Sequence, residues 1–227
     1  IMASFEGKFT EAGQNIRGFD NFLMDMAARP DWAEALMDRL LESHLEELPR
    51  FAKAVGEYVQ IVQLGDDLGT QQGPLISPLM HERMVLPKRK ILYRAIKERM
   101  GLPIFLHSCG GIYELIPQLI EAGVDILNPV QTTARGMDPA RLKREFGDKI
   151  TFWGGGVDTQ TVLAFGTPEQ VREQVRERIR IFAPGGGFVF NHIHNIQANV
   201  PPENIVAMFD AAYEFGRYPI EGVALAP

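Results

Sequence analysis

The chain has 227 residues, 45% hydrophobic and 23% charged, a formal net charge of -6 at pH 7 and a single cysteine. These fractions sit near the globular average and exclude disordered, collagenous and coiled-coil readings. One cysteine rules out a disulfide framework and points to a reducing compartment. The acidic balance argues against a nucleic-acid surface or a polybasic membrane patch. No apolar run approaches the roughly 20 residues of a spanning helix. Ile1 to Glu6 carry no basic segment followed by an apolar stretch, so no signal peptide is expected, and the chain reads as cytoplasmic.

Short apolar runs alternate with amphipathic patterns, the text of repeated βα units. A brief apolar run, Ile1 to Phe5, comes first. Helical text starts near Phe19, and a second helix follows Pro30, with Trp32, Leu36, Leu40, Leu41, Leu45 and Leu48 at helical spacing. Strands are expected near 58–64, 103–108, 125–130, 150–153 and 187–191. The helical stretch from Ser77-Pro78 to Met100 should break at Pro87, and Gly101 suits its end. Shorter helices are expected over 112–122 and 139–146. The clearest helix start is Thr167-Pro168-Glu169-Gln170, a capping box with Val171, Val175, Ile179 and Phe182 as the buried stripe behind it. The last helix opens at Pro201-Pro202-Glu203, with Ile205, Phe209, Ala212 and Phe215 facing inward.

About six βα units result, whereas a complete (β/α)8 barrel has eight and typically about 250 residues. An open doubly wound sheet is the competing arrangement, but no G-x-G-x-x-G follows any strand. The fold class read from the sequence is α/β, a (β/α)8 TIM barrel of which the chain covers roughly the last six units. Residues 1–227 are expected to form one domain whose amino-terminal part is missing.

Polar residues fall where each strand ends. Asp66 and Asp67 follow one strand, His107 and Cys109 end the next, and Asn128 and Gln131 end another. Asp158 follows Gly154-Gly155-Gly156, and His192 and His194 follow the last strand. In a parallel barrel these ends share the catalytic rim. Asp66, Asp67, Asn128, Gln131 and Asp158 should therefore line one cleft with His107. Asp67 and Asp158 are the candidate general acid/base groups, or partners that orient a ligating imidazole. Glycines at 154–156 permit close approach of a ligand, which makes Gly155 a candidate binding position. His107 and Cys109 lie two apart on a strand and face one spot, and both are zinc-ligand types. A buried cysteine packed beside a structural histidine is the alternative. His192 and His194 share a face in the same way.

Several stretches resemble motifs of the uroporphyrinogen decarboxylase superfamily: Gly65-Asp66-Asp67-Leu68-Gly69-Thr70-Gln71 through Ser77-Pro78, His107-Ser108-Cys109-Gly110-Gly111, Gly123 through Gln131, Trp153 through Gln160, and His194-Asn195-Ile196-Gln197 with Pro201-Pro202-Glu203-Asn204. The resemblance runs from about Arg17 and implies a (β/α)8 barrel joined partway through. It is nearest the zinc-dependent methyltransferase branch, which exchanges methyl groups with a corrinoid protein and carries a His-x-Cys pair plus a later cysteine on zinc. His107 and Cys109 match that pair. His194 stands where the later cysteine would be, so the resemblance implies zinc held by His107, Cys109 and His194. Asp66, Asn128, Gln131, Gly155 and His192, which follow their strands, are the expected substrate-binding positions. The implied cofactors are zinc and methylcobalamin carried by a corrinoid partner, with a small thiol acceptor or methylated donor as substrate. True decarboxylases of the superfamily, which remove tetrapyrrole acetate carboxyls without a cofactor, also carry a histidine at this position and form the alternative. A third alternative is a non-catalytic barrel that binds a tetrapyrrole or a corrinoid partner.

Overall fold

The computed structural model describes residues 1–220 and Gly222. They form two compact units. One comprises Ile1–Gly69, Pro74–Ser108 and Glu114–Ile126, the other Thr70–Gly73, Cys109–Tyr113 and the chain from Leu127 onward.

The first unit opens with β1 (Met2–Ser4), α1 (Thr10–Arg17), α2 (Phe19–Ala28) and α3 (Pro30–Val55), then β2 (Ile61–Gly65). A two-residue ladder joins β3 (Gly69–Thr70) to β4 (Gly73–Pro74). After α4 (Pro78–Met80), residues His81–Val85 wind as a π-helix into α5 (Leu86–Met100). Next come β5 (Ile104–His107), a 3-10 turn at Tyr113–Leu115, α6 (Ile116–Ala122) and β6 (Ile126–Asn128). The second unit continues through α7 (Pro139–Phe146), β7 (Thr151–Trp153), α8 (Val162–Phe165), α9 (Pro168–Phe182), β8 (Phe188–Val189) and α10 (Pro202–Phe215).

The expected strands are present, and the strand order is β1-β2-β5-β6-β7-β8. Pairing is parallel: Ala3 opposes Val62, Val62 opposes Ile104 and Gly65 opposes His107, while Phe152 opposes Phe188. Six parallel strands, each followed by helix, make the partial (β/α)8 barrel that the sequence predicts. The break near Pro87 is the π-helical turn. Proline has no N–H to donate one turn back, and the widened turn ahead of it takes up the mismatch. Gly101 closes α5 with φ 65, the left-handed conformation glycine adopts without strain.

Besides the one-turn α8, which the sequence reading lacked, three helices differ from expectation. α1 has no local signal, because its N-cap is Phe9, which offers no side-chain acceptor. In α3 the buried positions are Ala33, Met37, His44 and Leu48, and Trp32 is 59% exposed. His44 sets that face, since its Nε2 meets the Lys8 carbonyl at 3.0 Å and its ring packs on Phe5 and Phe9. In α10 Asn204 turns inward and donates to the carbonyls of Leu163 and Gly166 at 2.9 and 2.8 Å. The positions three, four and seven further on then follow it: Ala207, Met208 and Ala211 are buried, while Phe209 is 54% exposed. α9 is as expected, with its capping box formed and Val171, Val175, Ile179 and Phe182 buried.

No helix among the described residues is long and apolar enough to cross a membrane.

Candidate functional site

In the first unit, consecutive aspartates at the end of β2 point to opposite sides, as successive strand residues do. Asp66 is 1% exposed. Its carboxylate accepts from the backbone N–H groups of Phe9, Thr10 and Glu11 at 3.2, 3.1 and 2.8 Å, and from the Thr10 hydroxyl at 2.6 Å. Arg89, fully buried, completes the set with a 2.6 Å ion pair and donates to the Tyr93 hydroxyl at 2.9 Å. Asp66 thus caps α1 from a distance in sequence and neutralises a buried guanidinium. This corrects its assignment as a substrate-binding residue: its oxygens are occupied and it is out of reach of solvent.

Burial works against the charge on Arg89, but Tyr93 and Asp66 outweigh it and raise its pKa. Burial raises the Tyr93 phenol as well. His81, also buried, is pushed down to about 4 by desolvation and then by the Arg89 charge; its Nδ1 meets the Gln118 side-chain oxygen at 2.6 Å.

Asp67 has the opposite character. It is partly exposed, and its carboxylate lies 4.0 Å from His107 Nε2. The β2–β5 pairing fixes this neighbourhood past the strand ends: Asp66 N–H donates to the His107 carbonyl at 3.0 Å, and Leu68 N–H to the Ser108 hydroxyl at 3.1 Å.

The second unit carries Cys109, half-buried, at the head of a glycine turn. Gly110 N–H donates to the Gln131 side-chain oxygen at 2.9 Å, and Gly111 N–H to the Thr70 carbonyl at 2.8 Å. A Cβ on Gly111 would stand 2.7 Å from the Arg135 carbonyl, so this tight approach requires glycine. Asn128 ties the end of β6 to β7 by donating to the Trp153 carbonyl at 2.8 Å. Two residues on, Val130 holds φ 58. A β-branched residue rarely adopts that conformation, and such strain concentrates at functional sites.

Two further expectations are corrected here. Gly155 does not open space for a ligand: it is buried, and a Cβ there would meet Phe182, Thr132 and Val130 at 3.3 to 3.4 Å. Its neighbours are tighter still, with Gly154 against the Pro129 carbonyl and Gly156 against the Phe190 ring. The triple glycine serves chain-on-chain packing. Asp158 is 3% exposed, and its carboxylate accepts from the Gln160 N–H at 2.8 Å and from the Thr161 hydroxyl. It shapes the turn before α8 and is poorly placed to exchange a proton with substrate.

Gln131 and His194 line one cleft of 480 Å³, together with Gln71, Thr159, Gln160 and Gln197. His194 holds φ 62, and His192 Nδ1 bonds its carbonyl, so His192 positions the loop rather than lining the cleft. Sequence reasoning missed Thr159, Gln160 and Gln197 as cleft residues. Each lies in a loop past a polar strand end, but a lone hydroxyl or an exposed carboxamide carries no chemical signal of its own. Finally, one ligand atom of Cys109 lies within 4.8 Å of one of His194 in this unit.

Parallel strands with these polar ends define a partial barrel of the TIM type. The chain belongs to the Uroporphyrinogen decarboxylase (URO-D) family, which it matches over residues 2–215. It is 27% identical over 209 residues to the uroporphyrinogen decarboxylase of Serratia proteamaculans (strain 568), covering 91% of this chain and 55% of that protein. It is 29% identical over 187 residues to the one of Saccharophagus degradans, covering 82% and 49%. The chain therefore spans about half the length of the curated relatives it matches. A solved methyltransferase from Methanosarcina mazei shares the fold, with a TM-score of 0.73 and 17% identity, over 96% of this chain and 59% of that one.

Proposed function

We propose that the chain is part of a zinc-dependent methyltransferase that exchanges a methyl group between a corrinoid protein and a small thiol or methylated donor. The observation that carries this reading is the approach of Cys109 to His194 within the second unit, with His107 two residues before Cys109 on the chain. Two imidazoles and a thiolate are donor types that zinc takes, so these residues would fit it. Three protein ligands leave the fourth position open, the pattern of catalytic rather than structural zinc. When bound, zinc supplies a Lewis acid and lowers the pKa of a thiol or water at the open position.

The chain's own residues hold and orient. Asp67, whose carboxylate lies 4.0 Å from His107 Nε2, stands where it can orient that imidazole. Gln131 clamps the Gly110 N–H and so fixes the turn that presents Cys109. His192 fixes the backbone that presents His194. The fold likeness to the Methanosarcina mazei methyltransferase supports this reading. The names of the curated relatives favour a second one, cofactor-free decarboxylation of tetrapyrrole acetate groups.

Metal analysis of the purified full-length protein separates the two. Cys109→Ala is expected to remove zinc and methyl transfer from methylcobalamin together, with the unfolding midpoint unchanged. Full methyl transfer in metal-free protein, or in Cys109→Ala, overturns the zinc mechanism.

A further inference from the structure

We infer that Thr159 is the positioning residue of His194: its hydroxyl latches the loop after β8 and holds His194 in the conformation that carries its ring to Cys109. Residues 191–199 form neither helix nor strand, and His194 is exposed, so regular secondary structure does not fix it. Its φ of 62 lies in the left-handed region, which a residue with a side chain leaves unless its neighbours hold it there.

The hold comes from the turn after β7. Gly156 N–H donates to the Asn191 carbonyl at 2.9 Å, Ile193 N–H to the Val157 carbonyl at 3.2 Å, and the Thr159 hydroxyl to the Ile193 carbonyl at 2.5 Å. The first two bonds join backbones and depend little on residue type; the third belongs to the Thr159 side chain. It also acts closest to His194. The Ile193 carbonyl carbon is bonded to the His194 nitrogen, so fixing that carbonyl fixes the planar peptide against which the His194 φ is set. Ile193, its side chain buried, is thereby clamped at both its N–H and its C=O. Such a clamp needs a rigid base. Asp158 supplies it: its N–H donates to the Gln174 side-chain oxygen on α9 at 2.8 Å, its carbonyl accepts from Leu163 N–H at 2.8 Å, and its carboxylate is taken by Gln160 N–H and the Thr161 hydroxyl. Without the Thr159 hydroxyl, the peptide before His194 can turn, φ relaxes to negative values, and the ring leaves Cys109, whose ligand atom now lies within 4.8 Å of its own. The inference rests on the zinc reading for what His194 holds, and on the bonds of the loop alone for how His194 is held.

The test compares Thr159→Val, which keeps the shape and loses the hydroxyl, with Thr159→Ala, which loses both, and Thr159→Ser, which keeps the hydroxyl. Two quantities are read on the purified full-length protein: zinc affinity, by competition with a chromophoric chelator, and amide hydrogen exchange of the 191–199 loop in metal-free protein. Valine and alanine should each weaken zinc binding about tenfold or more, the usual loss when the partner that orients a metal ligand is removed. Both should also speed exchange of the Ile193 N–H roughly fivefold or more, the worth of one hydrogen bond. Serine should restore wild-type values of both. Unchanged exchange in the valine and alanine variants overturns the inference, as does faster exchange with zinc affinity intact, or a loss that serine does not restore. If the wild-type protein binds no zinc, the methyltransferase reading falls, while faster exchange that serine restores leaves the latch standing. If the wild type binds zinc and loses it in Cys109→Ala, but valine and alanine change neither quantity, the inference alone falls.

Discussion

The end of β2 in the first unit and the cleft of the second are both built from polar side chains that follow a strand, yet they do opposite things. Around Asp66 the groups are charged and buried. One carboxylate meets three backbone N–H groups, a hydroxyl and the guanidinium of Arg89, and none of these is open to solvent. Around Gln131 the groups are neutral and mostly reachable, with one end of an amide spent on the protein and the other left over. Charge taken out of water must be matched in full, so it organises the fold. Neutral polarity left at a surface costs little to expose and can wait for a ligand. Residue type alone does not separate these fates. Asp66 and Asp67 are chemically identical neighbours, and only Asp67 stands beside His107.

The sharpest way to break this contrast is to remove each aspartate in turn. Asp66→Ala strips α1 of its cap and leaves Arg89 buried without its partner, which should cost about 3–5 kcal/mol in denaturant unfolding. Asp67→Asn should change stability by no more than ~0.5 kcal/mol, as partly exposed positions do. Comparable losses in both variants would erase the distinction between the two carboxylates.

Acid supplies a second test of the buried region. Burial, reinforced by Arg89, holds His81 down at about 4, against an unfolded value of 6.5. The folded protein therefore binds fewer protons than the unfolded chain between these values. Its stability should be full above the unfolded value and fall as pH drops through the window, by about 1.4 kcal/mol per unit and about 3 kcal/mol in all. Urea midpoints measured from neutral pH to pH 4 check this, and His81→Gln, which takes up no proton there, should lose that part of the slope.

A loss smaller than either buried-region effect sharpens the comparison from the side of local structure. Thr167 caps α9 within its own turn, accepting from the Gln170 N–H while the Gln170 side chain accepts from the Thr167 N–H. Thr167→Ala should cost about 1 kcal/mol by thermal unfolding, the ordinary value of one local cap. A loss matching that of Asp66→Ala would mean that caps made at short and long range are worth the same.

The sequence by itself determined what short-range chemistry encodes. The βα alternation, the capping box of α9 with its buried stripe, the break at Pro87 and the His-x-Cys at the end of β5 all follow from the period of apolar residues or from the covalent limits of proline and threonine. Family motifs read in order carried the fold beyond that, to a partial TIM-type barrel. Tertiary structure alone decided the rest. α1 escaped notice because its cap is Asp66, far along the chain, while Phe9 at its own start offers nothing. The inward faces of α3 and α10 turned on His44 and Asn204, polar residues that periodicity assigns to solvent until their carbonyl partners are in place. Gly155 and Asp158 look like site residues by position and proved to be packing and turn residues, because what fills the space beside them comes from other strands and helices. Spacing fixes which side chains a segment can present; only the packed neighbours decide whether each is buried and paired or left open to a ligand.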